Sequence, residues 1–360
     1  MIPLALDIFQ GGIQMAEPEN ILGKTLEEIK QIIKEMELPG YTALQLTDWL
    51  YKKGATGFDQ MSNLSIKARK KLAGSFYIGL SDPSGVQVSV DGTKKYLFAV
   101  SKGKFIETVY IPETERSTIC LSSQAGCKMD CLFCMTGKQG FQGNLTAGDI
   151  LNQILSLPER MKLTNYVFMG MGEPLANTGN VLRSLEILTS DYGYGISPSR
   201  FTVSTIGILP GLEKLMAQNR CHLAVSLHSP FDEERLRLMP VEKMFPVKRI
   251  IEFLKKNPAG RQRRVSFEYI MFRGINDTAR HVNGLARLLN GLRCRINLIR
   301  YHPIPGVALE PSDDGTIQWF KTRLNEKGVL TTVRASRGKD IFAACGMLST
   351  NHQVVTGGQQ

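Results

Sequence analysis

The sequence predicts an α/β protein: a partial (β/α)6-type barrel preceded by a small helical module and a β-hairpin linker. Three observations carry this. From about residue 116 onward, apolar strand-like segments alternate with amphipathic helical ones. Residues 84–115 alternate apolar and polar side chains at period two, and residues 20–80 repeat apolar side chains at helical spacing.

In "KTLEEIKQIIKEM", Thr25 with Glu28 makes a capping box, and Leu26, Ile29, Ile33 and Met36 follow on one face. Leu38-Pro39-Gly40 ends that helix. "YTALQLTDWLYKKG" repeats the scheme, with Thr42 and Gln45 as cap candidates and Gly54 as the stop. "SIKARKKLAGSF" is a third helix carrying Lys67, Arg69, Lys70 and Lys71, a cluster that suits either a solvated face or an RNA contact. "VQVSVDGTKKYLFAV" and "KFIETVYIP" read as a hairpin around an Asp91-Gly92 turn. The barrel strands are expected at "STICLSS", "NYVFMG", "FTVST", "HLAVSL", "VSFEYIM", "RINLIR" and "LTTVRA". Helices such as "AGDILNQILSL" lie between them, with Ile150, Leu151, Ile154 and Leu155 on one face. Strands joined through helices pair in parallel, and a site then forms at their C-terminal ends. The expected divisions are an extension over 1–19, the helical module over 20–82, the hairpin over 83–115, the barrel over 116–348 and a flexible tail over 349–360.

The chain has 360 residues and a formal charge of +11, from 44 Lys+Arg against 33 Asp+Glu. That balance favours a polyanionic partner. No apolar run is long enough to cross a membrane. The opening "MIPLALDIFQGG" lacks a basic n-region and is interrupted by Asp7, so no export signal is expected and the expected setting is the cytoplasm. Seven cysteines in a reducing compartment point to metal or catalytic use.

Three of them stand in "CKMDCLFC", as Cys127, Cys131 and Cys134. Thiolates select zinc, copper(I) or iron–sulfur clusters. A structural zinc needs a fourth ligand at a recognisable spacing, and none lies nearby. A [4Fe–4S] cluster held by three thiolates leaves one iron open to an outside ligand. With Phe133 before the last cysteine, the C-x3-C-x2-C pattern resembles that of radical S-adenosylmethionine (SAM) enzymes. The resemblance implies that SAM chelates the open iron and that its reductive cleavage gives a 5′-deoxyadenosyl radical.

Further residues suit such a cofactor. "YVFMGMGEPL" ends a strand in Gly172 and Glu173, where backbone can approach a ligand and a carboxylate can accept from an ammonium. It fits the family's GGEP-type motif. Ser204 in "FTVSTIG", and Ser226, Leu227 and His228 in "HLAVSLHSP", stand at strand ends, where an ordinary turn role is the alternative. His302 lies in "RYHPIP".

Two more cysteines sharpen the resemblance. Cys120 lies in "STICLSSQAGC" and Cys345 in "RGKDIFAACGML", among small residues. With "CLSSQAGCKMDCLFCMTGKQGF", "MGMGEPL" and "VSLHSP", these segments resemble the RlmN/Cfr family of dual-cysteine radical-SAM RNA methyltransferases from about residue 20 to 348. The resemblance implies that Cys345 takes a methyl from one SAM, becoming S-methylcysteine. Hydrogen abstraction then gives a methylene radical that adds to an adenine carbon. Cys120 helps remove the ring proton and attacks the sulfur of Cys345, leaving a transient disulfide. Glu107 in "FIETVYIP" falls where the family is thought to use a general base. The implied substrates are 23S rRNA and tRNA, methylated at adenine C2 in the RlmN type and at C8 in the Cfr type. A reductant such as flavodoxin or ferredoxin is implied, and a monomer is expected. A radical-SAM-like RNA-binding protein without methyl transfer would have no use for the extra thiols. Two positions depart from the pattern: Gly143, where arginine is common, and His302, where asparagine is common.

Overall fold

Thr25 shows how closely local chemistry sets the first elements. In the computed structural model, which describes residues 17–101, 103–258 and 264–350, its hydroxyl accepts from Glu28 N at 3.3 Å. The Glu28 carboxylate accepts from Thr25 N at 2.8 Å. This box starts α1 (Leu26–Glu35), which buries Ile29 and Ile33. Helix α2 (Thr42–Thr47) starts differently from expectation: Tyr41 is the N-cap, and neither Thr42 nor Gln45 caps it. The Pro39 and Gly40 carbonyls instead accept from Thr42 N and Ala43 N. The helix runs on through a π-type turn and stops at Gly54, whose φ of 67° is left-handed. Ser65 caps α3 (Ile66–Ser75). Of the basic cluster on α3, Arg69 donates to Asp59 O and Lys71 to Met36 O, so these two brace the module. Lys67 and Lys70 remain exposed. The expected extension is described only from Glu17 and the expected tail only to Thr350; their remainders lie outside the described residues.

Ten strands form one sheet whose spatial order is their order in the chain. They are β1 (Gly85–Val88), β2 (Lys94–Ser101), β3 (Lys104–Pro112), β4 (Ser117–Cys120), β5 (Asn165–Phe168), β6 (Phe201–Thr205), β7 (His222–Ser226), β8 (Val265–Met271), β9 (Cys294–Arg300) and β10 (Thr331–Val333). Pairing is antiparallel from β1 to β4 and parallel from β4 to β10. The expected hairpin, with its turn at Asp91-Gly92, is thus part of a meander that continues the barrel sheet. Short turns allow this, because antiparallel neighbours need no crossover.

The parallel strands are linked by α4 (Ala147–Leu155), α5 (Thr178–Thr189), α6 (Leu209–Gln218), the pair α7 (Asp232–Leu238) and α8 (Val247–Lys256), α9 (Ala279–Leu288) and α10 (Asp314–Glu326). These are six crossovers among the described residues, and β1 and β10 are the edge strands, each paired on one side. The partial (β/α)6 expectation therefore holds. All residues of β8 are buried, the pattern of a strand covered on both faces. Apolar side chains of β2 to β9 and of α4, α5, α6, α8, α9 and α10 share the core, whereas Val86 and Val88 of the edge strand β1 are exposed. The module packs on α4 through a close approach of backbones: a Cβ on Gly23 would lie 2.3 Å from Gly148 N.

Candidate active site

The loop after β4 is anchored before it reaches the cysteines. Ser122 Oγ donates to Glu107 O at 2.6 Å and accepts from Met171 N at 2.8 Å. The buried Gln153 of α4 accepts from Ser122 N at 2.8 Å. Farther along, Cys127 N donates to Gly140 O and Leu132 N to Leu238 O. Cys127, Cys131 and Cys134 come to one cavity at the C-terminal ends of the barrel strands.

The same cavity is lined by Gly172, Glu173, Ser204, Ser226, His228 and Cys345. Gly172 has φ +92°, and a Cβ there would lie 2.5 Å from Gln124 Cβ, so only glycine lets the turn close. Gln124 Oε1 in turn accepts from Glu173 N at 2.9 Å. The Glu173 carboxylate accepts from Thr205 Oγ1 at 2.6 Å, Leu175 N at 2.9 Å and Ile206 N at 3.0 Å. Burial raises its pKa to about 7 against those bonds. A carboxylate has about four acceptor sites, so one remains for a ligand donor.

His228 is buried with a left-handed φ of 56°. Asn276 holds this conformation, its amide donating to His228 O and Ile270 O, both at 2.7 Å. His228 Nδ1 accepts from Ile270 N at 3.0 Å, which leaves the proton on Nε2. Burial, aided by the charge of Arg235, lowers its pKa to about 3, so the ring is neutral. Phe133 meets it edge-on at 4.8 Å.

Three expected residues lie outside this cavity. Leu227 points into the core, and its carbonyl accepts from Arg235 Nε at 3.1 Å. His302 is half-buried against Ser336 Oγ at 3.0 Å and lines a neighbouring cavity. Burial, then Lys339 and Arg300, lowers its pKa. Glu107 is fully buried on β3, paired with Lys95 at 3.0 Å and accepting from Ser349 N at 2.9 Å.

The two further thiols lie near enough to feel each other's charge. Cys120 ends β4, and its pKa rises to about 12 through burial and then through repulsion by Cys345, with Arg334 opposing the rise. Arg334 and Cys345 line both cavities. The Arg334 guanidinium is held more firmly protonated by Cys345, with Glu268 and Cys120 adding to the effect.

Arg334 is one of four site residues that sequence reading missed. Glu268 lines the cavity, with Oε1 accepting from Asn297 at 2.8 Å. Arg235 is fully buried and donates to Ile206 O, Ser226 O and Leu227 O, while pairing with Glu242. Asn276 is the fourth. A charge inside an apolar strand, and one on the buried face of a helix beside Leu238, were the available signals.

The donor set fits an iron–sulfur cluster with SAM. Three thiols share one wall, and burial holds Cys127 up at about 12 and Cys131 well above its usual range. A cationic cluster offsets that cost, since thiolate is the ligating form. Among the described residues no three His, Cys, Asp or Glu side chains converge as one metal ion requires. A cluster asks for no such convergence, because each thiolate takes a different iron. For SAM, Glu268 Oε2 is a buried acceptor without a hydrogen-bonding protein partner on the cavity wall.

Comparison with known proteins agrees. Residues 121–284 match the Radical SAM superfamily model. Residues 19–78 match the ribosomal RNA large subunit methyltransferase N-terminal domain. The chain is 56% identical over 340 residues to the "Probable dual-specificity RNA methyltransferase RlmN" of Parabacteroides distasonis, covering 94% of this chain and 99% of that one. The chain belongs to the RlmN family. Identity to the dual-specificity RNA methyltransferase RlmN of Syntrophus aciditrophicus is 42% over 334 residues, covering 92% and 96%. A crystal structure of a radical SAM methyltransferase from Sphaerobacter thermophilus superposes with a TM-score of 0.85 at 37% identity, covering 92% and 99%. Against the RlmN pattern, Gly143 pairs with Ala125, and Lys104 Nζ stands 3.5 Å from where its Cβ would be. A cation is thus supplied there from β3. No described helix is long and apolar enough to cross a membrane.

Proposed function

We propose that this protein methylates C2 of an adenine in the peptidyl-transferase centre of 23S rRNA and of the adenine 3′ of the anticodon in some tRNAs. One observation carries the reading: the cysteine trio, Cys345 and Cys120 gather at one end of the barrel, with Cys345 on the cavity wall and Cys120 beside it. An adenine C2 is electrophilic, so simple methyl displacement fails there. When bound, the [4Fe–4S] cluster and SAM supply a 5′-deoxyadenosyl radical able to take hydrogen from a methyl group.

Cys127, Cys131 and Cys134 hold the cluster. Gly172, Glu173, Ser204, Ser226 and His228 line the place for SAM, and the backbone of Leu227 helps shape it. Cys345, as thiolate, takes the methyl of one SAM by displacement and carries it to the base. The methyl carbon, as a radical, bonds to C2, and the unpaired electron of that adduct would be accepted by the bound cluster; Cys120 removes the ring proton and then, as thiolate, attacks the sulfur of Cys345. A disulfide forms, the S–C bond breaks, and the released carbon gains a proton to become the methyl. Arg334 opposes the burial penalty on Cys120, favouring its thiolate. The second cavity, with Arg116, Arg337 and His302 beside Cys345, suits RNA phosphate and ribose. A flavodoxin or ferredoxin in the cytoplasm is the fitting reductant. Nucleoside mass spectrometry after turnover on rRNA and tRNA tests this. 2-Methyladenosine is expected from both, whereas 8-methyladenosine, or no methylated base, overturns the assignment.

A further inference from the structure

Cys345 sits in a segment with almost no regular structure of its own. After β10, residues 335–349 contain only one short 3-10 turn, Lys339–Ile341. Phe342 has a left-handed φ of 53°, and Gly346 one of 82°. A reacting thiol on such a segment would wander unless something outside held it.

Two sets of contacts hold it, one on each side of Cys345. Before it, Asp91 Oδ2 accepts from Gly338 N at 2.9 Å. Asp340 accepts from Ser89 Oγ at 2.5 Å and from Val90 N at 3.1 Å. Ser89, Val90 and Asp91 form the turn between β1 and β2. After it, Glu107 Oε2 accepts from Ser349 N at 2.9 Å, and Thr136 Oγ1 donates to Leu348 O at 2.8 Å. Gln139 bonds Thr350 through both ends of its amide. The β1–β2 turn and Glu107 both belong to the antiparallel extension of the sheet, which the barrel itself does not require.

Glu107 is built for holding. Its carboxylate is fully buried, one oxygen engaged by Lys95 Nζ at 3.0 Å and the other by Ser349 N. Lys95 is itself 4% exposed. A carboxylate at that depth stays charged only with such a partner, and a charged acceptor makes the stronger bond to an amide.

We propose that Glu107, held by Lys95, and Asp340, held by the β1–β2 turn, are positioning residues that aim Cys345. The antiparallel extension is then the clamp on the methyl-carrying segment, and Glu107 is not a base for the adenine. The proposal rests on the reading of Cys345 as methyl acceptor.

The test uses reconstituted holoenzyme and follows S-methylation of Cys345 by peptide mass spectrometry, beside RNA product. Glu107→Ala is expected to slow Cys345 methylation about tenfold or more, the scale of one lost charged hydrogen bond, with iron content and SAM affinity unchanged. Lys95→Met/Glu107→Gln removes both charges but leaves an amide oxygen for Ser349 N, so it should stay within about threefold of wild type in both readouts. Asp340→Ala is a surface change that leaves the core intact, and it should slow Cys345 methylation severalfold. Unchanged methylation in both Glu107→Ala and Asp340→Ala overturns the clamp. So does a double variant that methylates Cys345 normally yet makes no RNA product, because the carboxylate is then acting on the base. Absence of S-methyl on Cys345 in the wild-type enzyme would instead sink the functional reading beneath it.

Discussion

Arg235 offers the sharpest test of how the site is built. Its guanidinium donates to Leu227 O at 3.1 Å, Ile206 O at 3.0 Å and Ser226 O at 3.1 Å, and it pairs with Glu242. Those carbonyls end β6 and β7 beside the cavity. In Arg235→Met the Glu242 carboxylate, whose side chain is 5% exposed, is left without its counter-ion. Breaking such a buried pair costs about 3–5 kcal/mol. At about 1–1.5 °C per kcal/mol for a chain of this length, the melting temperature should fall by about 5 °C. The strand-end carbonyls also lose their brace, so SAM should bind about tenfold more weakly, as a shift in the positioning groups implies. Glu242 also accepts from Val247 N at 3.0 Å, a bond that glutamine keeps. Arg235→Met/Glu242→Gln should therefore recover much of the stability, since no charge is stranded. Anaerobic scanning calorimetry and titration calorimetry with SAM measure both effects. A fall below about 2 °C, or a double variant that loses the sum of the single losses, would show that the pair is not coupled.

Other expectations follow from single contacts. Gly172→Ala puts a Cβ 2.5 Å from Gln124 at φ +92°, and should weaken SAM binding at least about tenfold by equilibrium dialysis; an unchanged Kd would count against the turn as a cofactor wall. Asn276→Leu strands His228 O, Ile270 O and Phe272 N, and should cost about 2–4 kcal/mol in urea unfolding. Anaerobic reconstitution should give about four irons per chain, falling sharply in Cys131→Ala; a colourless zinc protein would refute the cluster. Cys345→Ala should bind SAM without methylating RNA, and Cys120→Ala should accumulate a covalent RNA–protein band on denaturing gels.

The parts of this molecule that were legible in sequence are those set by local patterns. Seven barrel strands were found because strand and helix periods differ within a few residues. The cysteine trio was found because its ligands share one loop, and Glu173 and His228 because strand ends are where such a fold places chemistry. Where a contact at the next residue competes, the pattern misleads: Thr42 looks like a cap, yet the Pro39 and Gly40 carbonyls already serve the first helical amides. Period two gave the hairpin but not its attachment to β4, which depends on the pairing of Val109 with Cys120 and Tyr110 with Ile119.

The misses have a common physical form. Arg235 and Glu268, like Glu107 whose partner went unseen, are charges at positions the local period assigns to the interior. Alternation says which side chains share a face, but not what will cover that face. Glu107 meets Ser349 across 242 positions, and nothing in "FIETVYIP" announces the partner. The energetics nevertheless supply a rule that sequence can use. A buried charge without a partner is too costly to keep, so a charge on an otherwise apolar face implies a partner from elsewhere. Applied to "DEERLRL" and "VSFEYIM", the rule flags Arg235 and Glu268. It places both beside a site, because such partnerships cost stability and are kept where geometry must be held. The same rule separates the two roles open to Glu107. A base must keep an oxygen turned toward its substrate, whereas this carboxylate has one oxygen on Lys95 and the other on Ser349, which is the arrangement of a tether.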